Sequence, residues 1–245
     1  MNAIILAAGR GSRMQNLTQD RPKCLVEYRG RQLVDWQLQA LRQAGIARIA
    51  LVTGYLREKL EALGLPTFYN PHWSRTNMVS SLVCADAWLR EAPCVVSYSD
   101  IFYESNAVEL LMNCPADLAV TYDPNWRVLW EQRFDDPLLD AETFRLNSDN
   151  SLAEIGNRPN HINEVQGQYM GLLRFTPVGW SELLRVLEGL CEEDRNKIHA
   201  TGVLQKIIEA GRIPVTAIPY TGVWGEIDSL NDLLVMSDYY QSIKE

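Results

Sequence analysis

Apolar residues along this chain come in short runs separated by amphipathic stretches, and the alternation persists to about position 122. Residues 3–8 (Ala-Ile-Ile-Leu-Ala-Ala) form an unbroken apolar run of strand length, which predicts a strand buried on both faces. Residues 32–44 place Val34, Leu38 and Leu41 on one helical face, and Gly45 follows as a stop. A strand over 48–53, a short helix over 56–63 and a strand over 67–69 come next. Asn77 suits the cap of a helix carrying Met78, Leu82, Val83 and Trp88. Residues 93–99 return to strand and run into Asp100, and residues 117–122 close the series. Strands alternating with helices predict a parallel sheet covered by helices, with ligands at the carboxyl ends of the strands.

Beyond residue 122 the pattern changes. Residues 123–158 are polar, with Trp126, Trp130 and a Phe134-Asp135-Asp136-Pro137 turn, and read as an insertion of short antiparallel strands and loops. A strand over 168–175 follows, then helices over 178–190 and 201–210 and a strand over 213–219. Ser229 opens a last helix, with Asp232 three residues on as its capping-box partner. No low-complexity linker interrupts the chain. The expectation is one domain over 1–245, with 123–165 as an inserted lid or substrate wall.

Composition narrows the function. Hydrophobic residues at 47% and charged residues at 22% are ordinary for a folded domain. A net charge of −8 argues against sequence-independent binding of nucleic acid, which needs a basic surface. A small anionic substrate remains compatible, because Arg10, Arg13, Arg21 and Lys23 lie close together in sequence. The five cysteines form no Cys-x-x-Cys pair and read as reduced thiols. No apolar stretch approaches the roughly 18 residues of a membrane helix. The N-terminus reads as a strand entering a glycine loop, not as a signal peptide, so a cytoplasmic protein without membrane partners is expected.

The candidate chemistry begins at that loop. Gly9-Arg10-Gly11-Ser12-Arg13 follows the first strand, with Pro22-Lys23 downstream. Glycines let successive N–H groups turn inward to cradle phosphate oxygens, and the cations add charge where a triphosphate lies. A dinucleotide-binding loop is disfavoured: its third glycine position holds Met14, and Thr53-Gly54 stand where an acidic residue belongs. The string of a Walker loop is absent. A tight strand-to-helix turn is the bland alternative. Asp100 stands at a strand end, where it serves either chemistry or a helix cap. In Glu226-Ile227-Asp228 the two carboxylates face one side of an extended segment. Such a pair suits Mg²⁺, which takes one or two carboxylates plus phosphate oxygens and water; a cap for the last helix is the other reading of Asp228.

These strings resemble the nucleotidyltransferases that activate small phosphorylated compounds, a group including the sugar-1-phosphate nucleotidylyltransferases. The resemblance rests on residues 4–13, Arg21-Pro22-Lys23-Cys24-Leu25-Val26, Gly54-Tyr55-Leu56, Tyr98-Ser99-Asp100 and Glu226-Ile227-Asp228-Ser229. Asn77-Met78-Val79-Ser80-Ser81-Leu82 and the compact length look most like the phosphocholine cytidylyltransferase branch. The resemblance implies an α/β, Rossmann-like (GT-A-like) fold: a mostly parallel sheet, helices on both faces and a small β-rich insertion. It implies CTP and a small phosphorylated or phosphonylated acceptor as partners and Mg²⁺ as cofactor, with a homodimer left open.

Residue by residue, it implies a nucleotide site of Leu6, Ala7, Ala8, Gly9, Arg10, Gly11, Ser12, Arg13, Lys23, Tyr55, Ser80 and Ser81. Lys23, Arg13, Asp100 and Asp228 are the expected catalytic groups, with Asp100 and Asp228 on the metal. For the acceptor, Trp130, Arg133, Glu164, Gln168, Tyr169 and Glu226 are the candidates, within a wider polar run that includes Trp126, Asp135, Asp136, Asp140, Glu142 and Gln166. Tryptophans with acidic neighbours predict either a cage for a quaternary ammonium or core packing. The run Glu164-Val165-Gln166-Gly167-Gln168-Tyr169 predicts hydrogen bonds to an amine, amide or amino-acid head group. A sugar-1-phosphate enzyme using UTP or dTTP, and a nucleotide-sensing module without turnover, are the rival readings.

Overall fold

The computed structural model describes residues 1–244, with side chains through Tyr239. β1 (Asn2–Ala7) leads through the glycine loop to a small hairpin of β2 (Glu27–Tyr28) and β3 (Arg31–Gln32). Then come α1 (Leu33–Gln43), β4 (Arg48–Thr53), α2 (Arg57–Glu61), β5 (Thr67–Tyr69), α3 (Met78–Val83), α4 (Asp86–Glu91) and β6 (Cys94–Tyr98). β7 (Ile101–Tyr103), α5 (Ser105–Asn113) and β8 (Leu118–Asp123) precede the inserted segment. That segment holds α6 (Trp126–Arg133) and a hairpin of β9 (Phe144–Leu146) and β10 (Leu152–Ile155). The rest is β11 (Gln168–Phe175), α7 (Pro177–Glu188), α8 (Glu192–Lys197), α9 (Ala200–Ala210), β12 (Thr216–Pro219), β13 (Trp224–Glu226) and α10 (Leu230–Lys244).

Seven strands form the main sheet in the order β12-β8-β11-β6-β1-β4-β5. All run parallel except β11, which lies antiparallel between β6 and β8. Alternate residues of β1 feed two cores, one on each face. Ala3, Ile5 and Ala7 join Leu38 and Leu41 of α1, Val108 of α5 and Trp130 of α6. Ile4 and Ala8 join Leu82 of α3, Trp180 and Leu183 of α7 and Leu204 of α9. Burial on both faces is why the central strands are continuously apolar. Among the described residues no helix is long and apolar enough to cross a membrane.

Two expectations are corrected in detail. The helix foreseen over 77–88 is two helices, α3 and α4, broken at Cys84-Ala85; Asp86 opens the second and accepts the Trp180 indole N–H at 2.7 Å. The inserted segment does contain a hairpin, yet its first part is helical. Trp126, Leu129, Trp130 and Arg133 are the buried positions of α6, a 3.6-residue period that the polar neighbours mask. α5, α8 and the paired short strands β7 and β13 are elements that the apolar pattern does not announce.

Candidate active site

The loop after β1 is shaped around Lys23. Gly11 has φ 71°, and a Cβ there would come within 2.7 Å of the Lys23 Cβ, so only glycine admits the lysine stem against the loop. The Gly11 carbonyl accepts the Met14 N–H and the Thr18 hydroxyl, both at 3.0 Å, and Met14 is fully buried as an anchor. Pro22, extended, delivers Lys23 into a single turn closed by the Leu25 N–H on the Pro22 carbonyl at 3.0 Å. Lys23 is 6% exposed, a burial that a lone ammonium does not tolerate.

Its partners come from the sheet's carboxyl edge. Asp100 sits in the turn between β6 and β7. The buried side-chain amide of Gln37, on α1, clamps this turn by donating to the carbonyls of Tyr98 and Ile101, each at 2.6 Å. β13 pairs antiparallel with β7, and the Ile227 N–H donates to the Asp100 carbonyl at 2.8 Å. This register brings Glu226 and Asp228 beside Asp100. The helix cap falls to Ser229 and Asp232: the Ser229 hydroxyl accepts the Asp232 N–H at 3.3 Å, and the Asp232 carboxylate accepts the N–H of Ser229 at 2.7 Å. The carboxylate of Asp228 is therefore free to face the cleft.

Lys23 Nζ lies 2.8 Å from Asp100 Oδ2 and also bonds Asp228, which in turn pairs with Arg13. Burial alone would depress the Lys23 ammonium; the charges of Asp100, Asp228 and Glu226 outweigh it and hold its pKa above the ordinary value. Glu226 is pushed up to about 7, first by burial and then by the Asp100 charge, against the pull of Arg133 and Lys23. Asp100 Oδ1 is buried without a hydrogen-bond partner among the described residues. A spare buried carboxylate oxygen beside a second carboxylate fits a divalent cation of the hard, oxygen-loving kind. Among the described residues no group of three or more His, Cys, Asp or Glu could hold a metal.

These residues border a cleft of 280 Å³. From the expected nucleotide set, Leu6, Ala8, Gly9, Gly11, Ser12, Arg13, Lys23 and Ser81 line it, with Asp100 and Asp228. Trp73, Thr76, Asn77, Met78, Tyr98 and Ser99 line it as well; Asn77-Met78 and Tyr98-Ser99 belong to strings quoted above, whereas Trp73 and Thr76 lie in none of them. Ala7 is buried within β1 and Ser80 is not in the lining. Arg10 stands outside, its guanidinium 5.7 Å from the centre of the Tyr55 ring. Tyr55 packs edge-on against Trp73 at 5.3 Å and donates its hydroxyl to the Gln19 carbonyl at 2.6 Å, one layer behind the cleft.

Met78 and Tyr98 also belong to the wall of a second cavity of 150 Å³. Gln168, Tyr169 and Glu226 line it, as expected of acceptor residues, together with Glu142, His199, Thr201, Gly171 and Trp224. Gly171, at φ 77°, makes an irregularity in β11 where an added Cβ would strike the Tyr98 ring at 2.8 Å. Burial raises the Glu142 carboxyl against the hydrogen bond from Thr201, 3.4 Å away. Asn77 ties the two regions: its side chain caps α3 at 2.7 Å and meets His199 Nδ1 at 3.0 Å.

Trp130, Arg133 and Glu164 lie in neither cavity. Trp130 is buried and stacked on Trp224 at 6.3 Å, its indole N–H on Asp140 at 3.1 Å. The Arg133 guanidinium lies 4.6 Å from the centre of the Trp130 ring, so the aromatic face expected to hold a ligand cation already holds a protein one. Glu164 accepts the N–H of Asn160 at 2.6 Å and of His161 at 3.2 Å, as a turn cap.

Residues 3–165 match the family described as the MobA-like NTP transferase domain. The CTP:phosphoglutamine cytidylyltransferase of Campylobacter jejuni is 37% identical to this chain over 96% of its length and 98% of the relative's. Among solved structures, the inositol-1-phosphate CTP transferase of T. maritima superposes with a TM-score of 0.76 at 21% identity, over 96% of this chain and 94% of that one. The CTP:phosphocholine cytidylyltransferase of Streptococcus pneumoniae gives 0.70 at 19% identity, over 100% and 99%. A cation-bearing glycine loop, strand-end carboxylates on a buried lysine and this pattern of similarity lead to one conclusion: the chain belongs to the MobA-like NTP transferases, a family of nucleotidyltransferases.

Proposed function

We propose that this chain transfers CMP from CTP to a small phosphorylated acceptor bearing an amine or amide, of the phosphorylated amino-acid class, giving a CDP-linked product and pyrophosphate. The observation that carries the reading is the junction of two cavities. A cleft with a glycine loop and Lys23 abuts, across Met78 and Tyr98, a cavity lined by Glu142, Glu226, Gln168 and Thr201. The second lining has no lysine or arginine among the described residues, and its surplus of hydrogen-bond acceptors suits a donor-rich head group. The cytidylyltransferase from Campylobacter jejuni, named for phosphoglutamine, supports the same class.

In this reading the N–H groups of Gly9, Gly11 and Ser12, with Arg10 and Arg13, hold the β- and γ-phosphates. Lys23 offsets the charge that builds as the acceptor phosphate meets the α-phosphate. Leu6, Ala7 and Ala8 pack near the ribose. Ser81 and Trp73, the latter backed by Tyr55, serve the base. Asp100 and Asp228 would hold Mg²⁺, which would supply neutralisation of charge on the phosphate oxygens. An oxygen of the acceptor phosphate attacks the α-phosphorus in line, the bond to the bridging oxygen breaks, and pyrophosphate leaves. That oxygen is already ionised near neutral pH, so no general base is required. The chain works as one nucleotidyltransferase domain, and the 123–165 insertion walls the acceptor cavity through Glu142.

The test is direct. Protein, CTP and Mg²⁺ are incubated with phosphorylated amino acids, amines, alcohols and sugars, and products are weighed alongside released pyrophosphate. A CDP adduct of an amino-acid or amide acceptor is expected, with UTP and dTTP as poor donors. Preference for sugar 1-phosphates, or no pyrophosphate from any pair, overturns the reading.

A further inference from the structure

We infer that Arg133 is a positioning residue: from inside the inserted segment it holds, through Asp232, the main chain of Asp228. The inference rests on the proposed role of Asp228 as a carboxylate for the metal. Arg133 sits on the last turn of α6 with its side chain 2% exposed. Its Nε donates to Asp232 Oδ1 at 2.8 Å and its Nη1 to Glu226 Oε2 at 3.1 Å. Asp232 turns its other oxygen the opposite way, accepting the Asp228 N–H at 3.0 Å, the Ser229 N–H at 2.7 Å and the Ser229 hydroxyl at 3.0 Å. One buried carboxylate thus joins the guanidinium to the backbone of Asp228.

The orientation of the guanidinium is fixed independently. Its carbon lies 4.6 Å from the centre of the Trp130 ring and 5.1 Å from that of Phe134, so aromatic surfaces set its plane while the fork picks out Asp232 and Glu226. Glu226 lines the second cavity and Asp228 the cleft. Arg133 therefore bridges α6, the end of β13 and the start of α10. Groups that orient a metal-holding carboxylate without touching the metal commonly matter to it about tenfold to a hundredfold.

Three variants test this: Arg133→Gln, Arg133→Lys and Asp232→Asn. The last keeps an oxygen to cap the Asp228 and Ser229 N–H groups but presents an amide to Arg133, which it cannot accept from. Mn²⁺ uptake in the presence of CTP, read from free Mn²⁺ by electron paramagnetic resonance, is measured beside kcat and thermal melting. Arg133→Gln and Asp232→Asn are expected to weaken Mn²⁺ uptake and lower kcat by about tenfold or more, with Arg133→Lys recovering part of both. Folded variants with unchanged Mn²⁺ uptake and kcat overturn the inference, and a lowered melting temperature alone does so too. If Arg133→Gln does not fold, Asp232→Asn decides. A wild-type protein that takes up no Mn²⁺ with CTP contradicts the proposed reaction itself, a separate result visible before any variant is compared.

Discussion

The cleft and the second cavity share a wall yet are built in opposite ways. The cleft gathers residues that are near neighbours in sequence, the loop at 9–13 and Lys23, and meets them with carboxylates fixed by backbone pairing of β7 with β13. The second cavity takes single side chains from scattered places: Glu142 before β9, Gln168 and Tyr169 at the start of β11, His199 and Thr201 around the start of α9, Glu226 at the end of β13. The first is cationic against carboxylates and suits phosphates; the second is acceptor-rich and suits a head group. Two cavities of opposite construction thus share a wall at Met78 and Tyr98.

The sharpest way to break the comparison is at Lys23 and Asp100. Lys23→Ala or Asp100→Asn should lower pyrophosphate release by about a hundredfold to a thousandfold, the first by removing a cation from the reacting phosphates and the second by weakening the hold on the metal that would neutralise them. A loss confined to the acceptor KM would erase the distinction between the two regions. Next comes Glu142→Gln, expected to raise the acceptor KM by about tenfold to a hundredfold through loss of a charge-assisted hydrogen bond, with the KM for CTP unchanged. Equal effects on both substrates would show that the cavities do not act separately.

Gly11→Ala tests how the cleft is shaped. It places a methyl against the Lys23 stem at positive φ and should cost about 1–2 kcal/mol in urea unfolding. The smallest effect concerns pH. Burial raises the Glu142 carboxyl, so acidification protonates it earlier than an exposed glutamate, and an ammonium head group then loses its partner. The acceptor KM should therefore rise on acidification, and more steeply than in Glu142→Gln, which has no proton to gain at that position.

Much of this architecture is legible in the sequence alone. The central strands are buried on both faces and so betray themselves as apolar runs, and the glycine loop is specified by backbone geometry that few other residues permit. α6 was harder: its buried face includes Arg133, a charge that looks like surface until Glu226 and Asp232 are seen to neutralise it. For the same reason a sequence reading assigns Arg133 and Trp130 to a ligand, although they satisfy each other and the core. Glu142 stood in a run of polar residues with nothing to set it apart. Its position depends on the hairpin hydrogen-bonding toward β12, as when the Leu152 N–H meets the Val215 carbonyl at 2.8 Å, a contact with no local signature.

Because β11 runs against its neighbours, its opening residues, Gln168 and Tyr169, arrive at the edge where the parallel strands finish. The stretch of chain leading into that strand can consequently be rewritten, or lengthened, while the glycine loop and Lys23 keep their own connections. One reversed strand thus separates the residues that shape the second cavity from those that shape the glycine loop.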